Sequence, residues 1–209
     1  MKTLTILLFL TPLFSCGQKY FEGEIVYSNE TIKKESSFDL NRIPCAESKS
    51  TAIVYKNGDF FSRLDNCFIE YQYFNHTMSQ VFYKLHGADT LLFEDYNKNP
   101  PEGDSIISVT KYNNTDTILN IICNRIVVQR TNTKMIFVYS PDLKVNPAWF
   151  KNARSGYYDV IYGQMKSVYL KYIIEGEGYI STSIATKIDH KPISSDIFPE
   201  VAKLPKTPL

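Results

Sequence analysis

Apolar and polar residues alternate with a period of two along most of this chain, and the longest such run covers residues 168–188. Its even positions read Val168, Leu170, Tyr172 and Ile174, while Lys171 and Glu175 fall on odd ones. After Glu175-Gly176-Glu177-Gly178 the even positions continue as Ile180, Thr182, Ile184, Thr186 and Ile188, with Ser181, Ser183, Ala185 and Lys187 between them. Side chains of a strand point to alternate faces, so this stretch predicts a long hairpin with its even positions on the apolar face. A hairpin is not stable alone, so that face must cover a helix, a second sheet or a ligand.

The same alternation recurs on both sides. In residues 21–27, Phe21, Gly23, Ile25 and Tyr27 share one face and Glu22 and Glu24 the other. Residues 52–56 and 60–64 flank Asn57-Gly58, a strong hairpin signal. Strand-like runs follow at 68–74, 80–85, 90–96, 105–112, 117–123, 125–130 and 135–140, separated by Gly-, Pro- and Asn-containing turns. This spacing predicts an antiparallel, mainly β protein and not alternating β and α units. Residues 146–156 predict a helix. Asn146 suits the N-cap, Pro147 the first position, Arg154 the last turn and Gly156 the residue beyond the end. Its Trp149 and Phe150 are expected on the sheet, with Trp149, the only tryptophan, at the centre of the contact. A second short helix is expected over 30–38, inside the irregular stretch 30–50. Residues 157–162 are expected to lead into the long hairpin, and a proline-punctuated tail at 192–199 to close the chain. No linker or repeat divides residues 21–209, which read as one domain.

The first residues change the picture from fold to address. Lys2 precedes a short apolar run, too short to span a bilayer as a helix, that ends in Leu13-Phe14-Ser15-Cys16-Gly17. These five resemble the bacterial lipobox. The resemblance implies a signal peptide at 1–15, cleavage before Cys16, a lipid on Cys16 and a lipidated tether over 16–20. A plain secretory signal cut near Gln18, with Cys16 lost, is the alternative. Each buried methylene of an acyl chain adds about 0.8 kcal/mol of membrane affinity, so a multiply acylated Cys16 would hold the chain firmly. Residues 17–19 carry no acidic run, which points to the periplasmic side of the outer membrane. Loss of Lys2 leaves equal numbers of basic and acidic residues, 22 of the latter, so no charge excess points to nucleic acid.

Candidate chemistry is sparse. Cys45 and Cys67 could pair in an oxidising compartment, and unpaired, half-buried thiols are the alternative. Cys123, in an apolar run, reads as core. His76, His86 and His190 stand apart, without a second His or Cys at metal-ligand spacing. No glycine-rich phosphate loop, Gly-x-Ser-x-Gly elbow or His-Glu-x-x-His helix is present. Glu22 with Glu24, and Asp189-His190 near Ser194-Ser195, read as solvated surface. Neither an enzyme nor a cofactor is expected.

Five segments together resemble the LolA-like domains of secreted and lipid-anchored proteins of Bacteroidetes-type bacteria, relatives of the outer-membrane lipoprotein carrier. They are Phe21-Glu22-Gly23-Glu24-Ile25-Val26-Tyr27, Ile121-Ile122-Cys123-Asn124-Arg125, Phe137-Val138-Tyr139-Ser140-Pro141-Asp142-Leu143, Val168-Tyr169-Leu170-Lys171-Tyr172 and Ile197-Phe198-Pro199. The resemblance implies a single curved antiparallel sheet, a half-open β-barrel, with one or two short helices on its concave face. In the carrier that hollow holds lipoprotein acyl chains. The expectation is therefore a non-catalytic lipoprotein that takes lipid or lipoprotein acyl chains against Trp149, Phe150 and Tyr172. The 15 tyrosines and 13 phenylalanines suit either an apolar cavity or an ordinary packed core. The competing expectation is a structural or partner-binding subunit of an envelope complex, with that core packed and no ligand.

Overall fold

A computed structural model describes residues 20–209. The expected signal peptide and the expected lipidation site, Cys16, lie outside the described residues.

Among the described residues, twelve strands form one sheet. In chain order they are β1 (Gly23–Lys33), β2 (Ser50–Lys56), β3 (Asp59–Leu64), β4 (Ile69–Asn75), β5 (Gln80–Leu85) and β6 (Leu91–Asp95). There follow β7 (Ile106–Ile118), β8 (Ile121–Arg130), β9 (Lys134–Lys144), β10 (Ser167–Glu175), β11 (Tyr179–His190) and β12 (Lys206–Pro208). The spatial order is β12-β6-β5-β4-β3-β2-β1-β11-β10-β9-β8-β7. Two meanders, one from each half of the chain, therefore meet along β1 and β11. All neighbours are antiparallel except β12, which lies parallel to β6. The sheet curves without closing, and one α-helix, α1 (Tyr158–Met165), packs on its concave side. This is the mainly β, half-open architecture that the LolA-like resemblance implied.

The helices differ from expectation. Asn146 caps as predicted, its Oδ1 accepting from the Ala148 N–H at 3.0 Å, but only a 3-10 turn over Pro147–Phe150 follows. The α-helix comes later, over residues expected to be a strand lead-in. It starts after Tyr157 in the left-handed conformation (φ 57°), with no side-chain cap. The turn before it is fixed from outside, because the Arg154 and Ser155 N–H groups both donate to the Tyr96 carbonyl. Nor is there a helix over 30–38. Residues 30–33 extend β1 and pair with β11, and the Lys34 N–H donates to the Gly178 carbonyl, so the sheet takes the backbone groups a helix needs. A 3-10 turn, Leu40–Arg42, is the nearest helical segment.

One expected strand at 117–123 is divided by a tight turn. Leu119 and Asn120 both have positive φ, 52° and 63°, and join β7 to β8 as a two-residue hairpin. The Asn57-Gly58 turn forms as predicted, between β2 and β3.

The long hairpin forms, but the facing of β11 is the reverse of the prediction over most of its length. A register shift opposite Val26 and Tyr27 leaves Thr186 unpaired, and such a bulge moves every later residue to the other face. Ile188 faces the fully buried Ile25, whereas Ala185, Ser183 and Ser181 share the concave face with Tyr27, Asn29 and Thr31. Ile184 points outward and is 38% exposed.

Aromatic side chains fill most of the space between sheet and helix. Phe150 stacks on Tyr162 with ring centroids 3.8 Å apart and on Phe74 at 5.6 Å, and Phe74 stacks on Phe60 at 5.1 Å. Phe150, not Trp149, is the centre of this contact. A second, smaller core of Phe61, Tyr73, Phe82 and Leu91 lies on the opposite face, since each alternates with a residue of the main core or its strand neighbour. The tail covers it with Phe198 and Val201 before β12 pairs with β6.

Candidate functional site

The aromatic packing stops short of the far end of the concave face, and a cavity of about 280 Å³ remains there. Its walls come from the middle of the sheet. β1 contributes Tyr27, Asn29 and Thr31, β2 Thr51 and Ile53, and β3 Phe60, Ser62 and Leu64. Across the seam β11 contributes Ser181 and Ser183, β10 Tyr169 and Tyr172, and β9 Met135 and Phe137. Gln72 of β4, Tyr158, Ile161 and Tyr162 of α1 and the loop residues Ile43, Pro44, Cys45 and Ser48 complete the lining of the cavity, which is partly open.

Strand register gives the cavity a direction. Beyond Tyr27, β1 places Asn29 opposite Ser183 and Thr31 opposite Ser181, so that end carries neutral hydrogen-bonding groups. Toward the start of β1, Ile25 pairs with Ile53, and the wall passes into the aromatic plug of Phe60, Tyr158 and Tyr162.

The loop beside the polar end is held in place twice. Cys45 and Cys67 form a disulfide that ties it to the β3–β4 connection. Asp65 Oδ1 also accepts from the Ser48 hydroxyl at 2.9 Å and from the Lys49 and Ser50 N–H groups at 2.7 and 2.9 Å. The Ser50 N–H foremost, with the Ser48 hydroxyl and Lys49 N–H, holds the Asp65 carboxyl below the usual aspartate range.

The lining has no Asp, Glu, Lys, Arg or His side chain. Its phenols are neutral as well. Burial, partly offset by a hydrogen bond with Tyr55, pushes Tyr169 up to about 12. Burial first, and then neighbouring phenols, raises Tyr27, Tyr162 and Tyr172. At neutral pH the walls therefore present hydroxyls, amides, aromatic faces and methyls, without charge.

Of the three residues expected to hold ligand, Tyr172 lines this cavity. Phe150 is 2% exposed within the plug behind it. Trp149 lies elsewhere, edge-on to Tyr20 at 4.9 Å and so close above the turn at Gly58 that a Cβ there would sit 2.7 Å from its ring. The sequence does not show the neutral polar set of Asn29, Thr31, Ser181 and Ser183, because the bulge reverses the facing of the two serines and the apolar alternation of β1 fades after Tyr27, where a helix over 30–38 is expected instead. The signal available is the pair of serines at alternate positions, Ser181 and Ser183.

The remaining candidates are structural. Glu22 accepts from the Ile193 N–H at 2.7 Å and lies 3.7 Å from Lys56 Nζ, while Lys191 bridges Glu24 at 2.7 Å and Asp189 at 3.0 Å. His76 is bonded to Asp59 through both its N–H and Nδ1 and fixes the turn after β4. Among the described residues no group of three or more His, Cys, Asp or Glu could hold a metal, and no helix is long and apolar enough to cross a membrane. Cys123 is a buried free thiol.

These features define the chain as an unclosed antiparallel half-barrel with an uncharged internal cavity. No protein-family model matches it, and no curated protein does. Solved structures do. A structure of PNGF-II superimposes with a TM-score of 0.51 at 14% identity, over 90% of this chain and 31% of that one. This chain thus spans under a third of that protein's length, and at such identity the likeness is one of fold. The LolA superfamily protein NE2245 from Nitrosomonas europaea gives a TM-score of 0.41 at 6% identity, over 86% of this chain and 90% of that one. The Mycobacterium tuberculosis lipoprotein LppX gives 0.36 at 8%, over 83% and 89%.

Proposed function

We propose that this protein is a non-catalytic binding protein of the bacterial cell envelope, anchored by lipid on Cys16 to the periplasmic face of the outer membrane. Its cavity holds one apolar chain or small neutral amphiphile. The observation that carries this reading is the uncharged, partly open cavity on the concave face, apolar at the plug and hydrogen-bonding at the loop. An ionised head there would lose its hydration without gaining a counter-charge. A void of this size stands at the lower edge of the roughly 300–1,000 Å³ typical of small-molecule sites, so it suits one chain and not the several chains of a lipoprotein. The lipobox-like residues supply the argument for the anchor.

The test is binding of an alkyl fluorophore with an uncharged head to lipid-stripped protein, beside mass spectrometry of gently purified material. Saturable one-to-one binding is expected, with its loss in Ser183→Phe, which fills the cavity from β11. No saturable binding and no copurified lipid would reject the reading. The partner-binding alternative rests on a different observation: among the described residues β7 is an edge strand, and its Ile107 and the neighbouring Ile122 of β8 are 65% and 64% exposed.

A further inference from the structure

Charge is spread unevenly over the two ends of the sheet. At the plug end the Phe21 N–H donates to the Lys144 carbonyl at 2.7 Å, and Tyr20 packs edge-on to Trp149. There the connection from β9 to β10, with its flanking residues, carries Lys144, Lys151, Arg154 and Lys166, all exposed, against the half-buried Asp159. Exposed Lys98 joins them, because the Arg154 guanidinium donates to the carbonyl of the adjacent Asn97 at 2.7 Å. None of these five cations makes an ion pair among the described residues. The carboxylates around them are mostly committed: Glu22 lies beside Lys56, Glu24 and Asp189 hold Lys191, and Asp59 holds His76. Asp142 is the exposed exception. At the opposite end, residues 33–49 balance Lys33, Lys34, Arg42 and Lys49 against Glu35, Asp39 and Glu47, with Asp65 bonded to the loop backbone. In a chain whose net charge is only +1, the plug end is thus a local cationic patch.

Two apolar tips project from the same end. Met78, in the β4–β5 turn, is 38% exposed, and its carbonyl accepts from Asn97 Nδ2 at 2.8 Å, which places it beside Lys98. Leu119, at the tip of the β7–β8 hairpin, is 42% exposed with φ 52°. That position favours Asn or Gly, so neither the backbone conformation nor hydration accounts for a leucine there. Cations around exposed apolar tips match anionic headgroups over hydrocarbon. The chain before Tyr20 also leads from this end, and Cys16 stands within about 14 Å of Tyr20 even at full extension.

We propose that the plug end is a docking face for an anionic bilayer. Lys98, Lys144, Lys151, Arg154 and Lys166 lie on the headgroups, Met78 and Leu119 dip between them, and the loop end of the cavity is turned away from the membrane. This goes beyond the binding reading; a lipid on Cys16 adds to it and is not required by it.

The experiment uses the chain from Gln18 onward, which holds the whole described sheet and no anchor. It is mixed with vesicles of phosphatidylcholine alone or with phosphatidylglycerol, each carrying dansyl-labelled headgroups. Co-sedimentation measures binding, and energy transfer from Trp149, the only tryptophan, reports whether the plug end faces the lipid. Binding with transfer is expected on the anionic vesicles, weakening as salt is added. The triple variant Lys144→Gln, Lys151→Gln, Lys166→Gln is expected to weaken it about a hundredfold, at roughly fivefold per cation. Lys33→Gln, Lys34→Gln, Lys49→Gln, with the same change in net charge at the other end, is expected to weaken it less than about threefold. Equal losses in the two variants, equal binding to neutral vesicles, or sedimentation without transfer would overturn the proposal. So would absence from vesicles with retention on polyglutamate, which would assign the face to an acidic protein. An unlipidated Cys16 in mass spectrometry removes the anchor alone, and loss of vesicle binding leaves the cavity reading as it stands.

Discussion

At the scale of single residues the concave face is governed by tyrosine. A phenol can cover apolar surface with its ring and still answer a polar group with its hydroxyl, as when Tyr27 donates to the Tyr169 carbonyl at 2.9 Å. Burial makes these phenols hard to ionise, Tyr83 and Tyr169 each rising to about 12. An unfolded tyrosine titrates near 10. Between those values the folded protein binds more protons than the unfolded one, so stability falls as pH rises. The tyrosine contribution is complete below about pH 10 and is lost through about pH 12. An alkaline titration should therefore show part of the phenolate absorbance appearing only together with loss of the β-sheet circular dichroism. Full ionisation with the sheet signal intact would contradict this account of the plug and cavity wall.

At the scale of elements, most strands were legible because period-two patterning and turn chemistry act locally. Asn57-Gly58 and the glycines after Glu175 turn where the residues alone predict. What was not legible depended on contacts far away in sequence. Nothing in Thr186 marks it as a bulge, yet that one extra residue brings Ser181 and Ser183 onto the cavity wall. Helix α1 lacks a cap, and its start is set by Tyr96, some sixty residues earlier, so the well-signalled Asn146-Pro147 start gave only a 3-10 turn. The Cys45–Cys67 pairing left open by the residues is present, and it holds the loop at the polar end. Closing a loop with a sequence separation of 22 stabilises by about 3 kcal/mol in the chain-entropy view. The double variant Cys45→Ser, Cys67→Ser should lose about that much in urea unfolding, with the slope of the transition retained. A loss below about 0.5 kcal/mol would mean that the Asp65 hydrogen bonds alone define the loop.

At the scale of the whole molecule, the two meanders are built from short-range hairpins, whereas β1 and β11 pair residues about 150 positions apart and carry the only link between the meanders within the ladder of described residues. That seam also carries half of the cavity wall on each side, so cavity shape and global stability depend on the same hydrogen bonds. Strand β7 has the opposite situation, with one neighbour among the described residues and mostly exposed side chains. Local opening frees an edge without disturbing the rest, while the amides between β1 and β11 exchange only when the two halves separate. Hydrogen–deuterium exchange should accordingly protect the described β1 and β11 amides most strongly, at the level of global unfolding, and β7 least. A cavity ligand should slow the seam further by mass action and leave β7 unchanged, because it binds the joined halves and not the separated ones. If β1 exchanged as readily as β7, the meanders would be opening as independent units, and a cavity shared between them could not hold a ligand with fixed geometry.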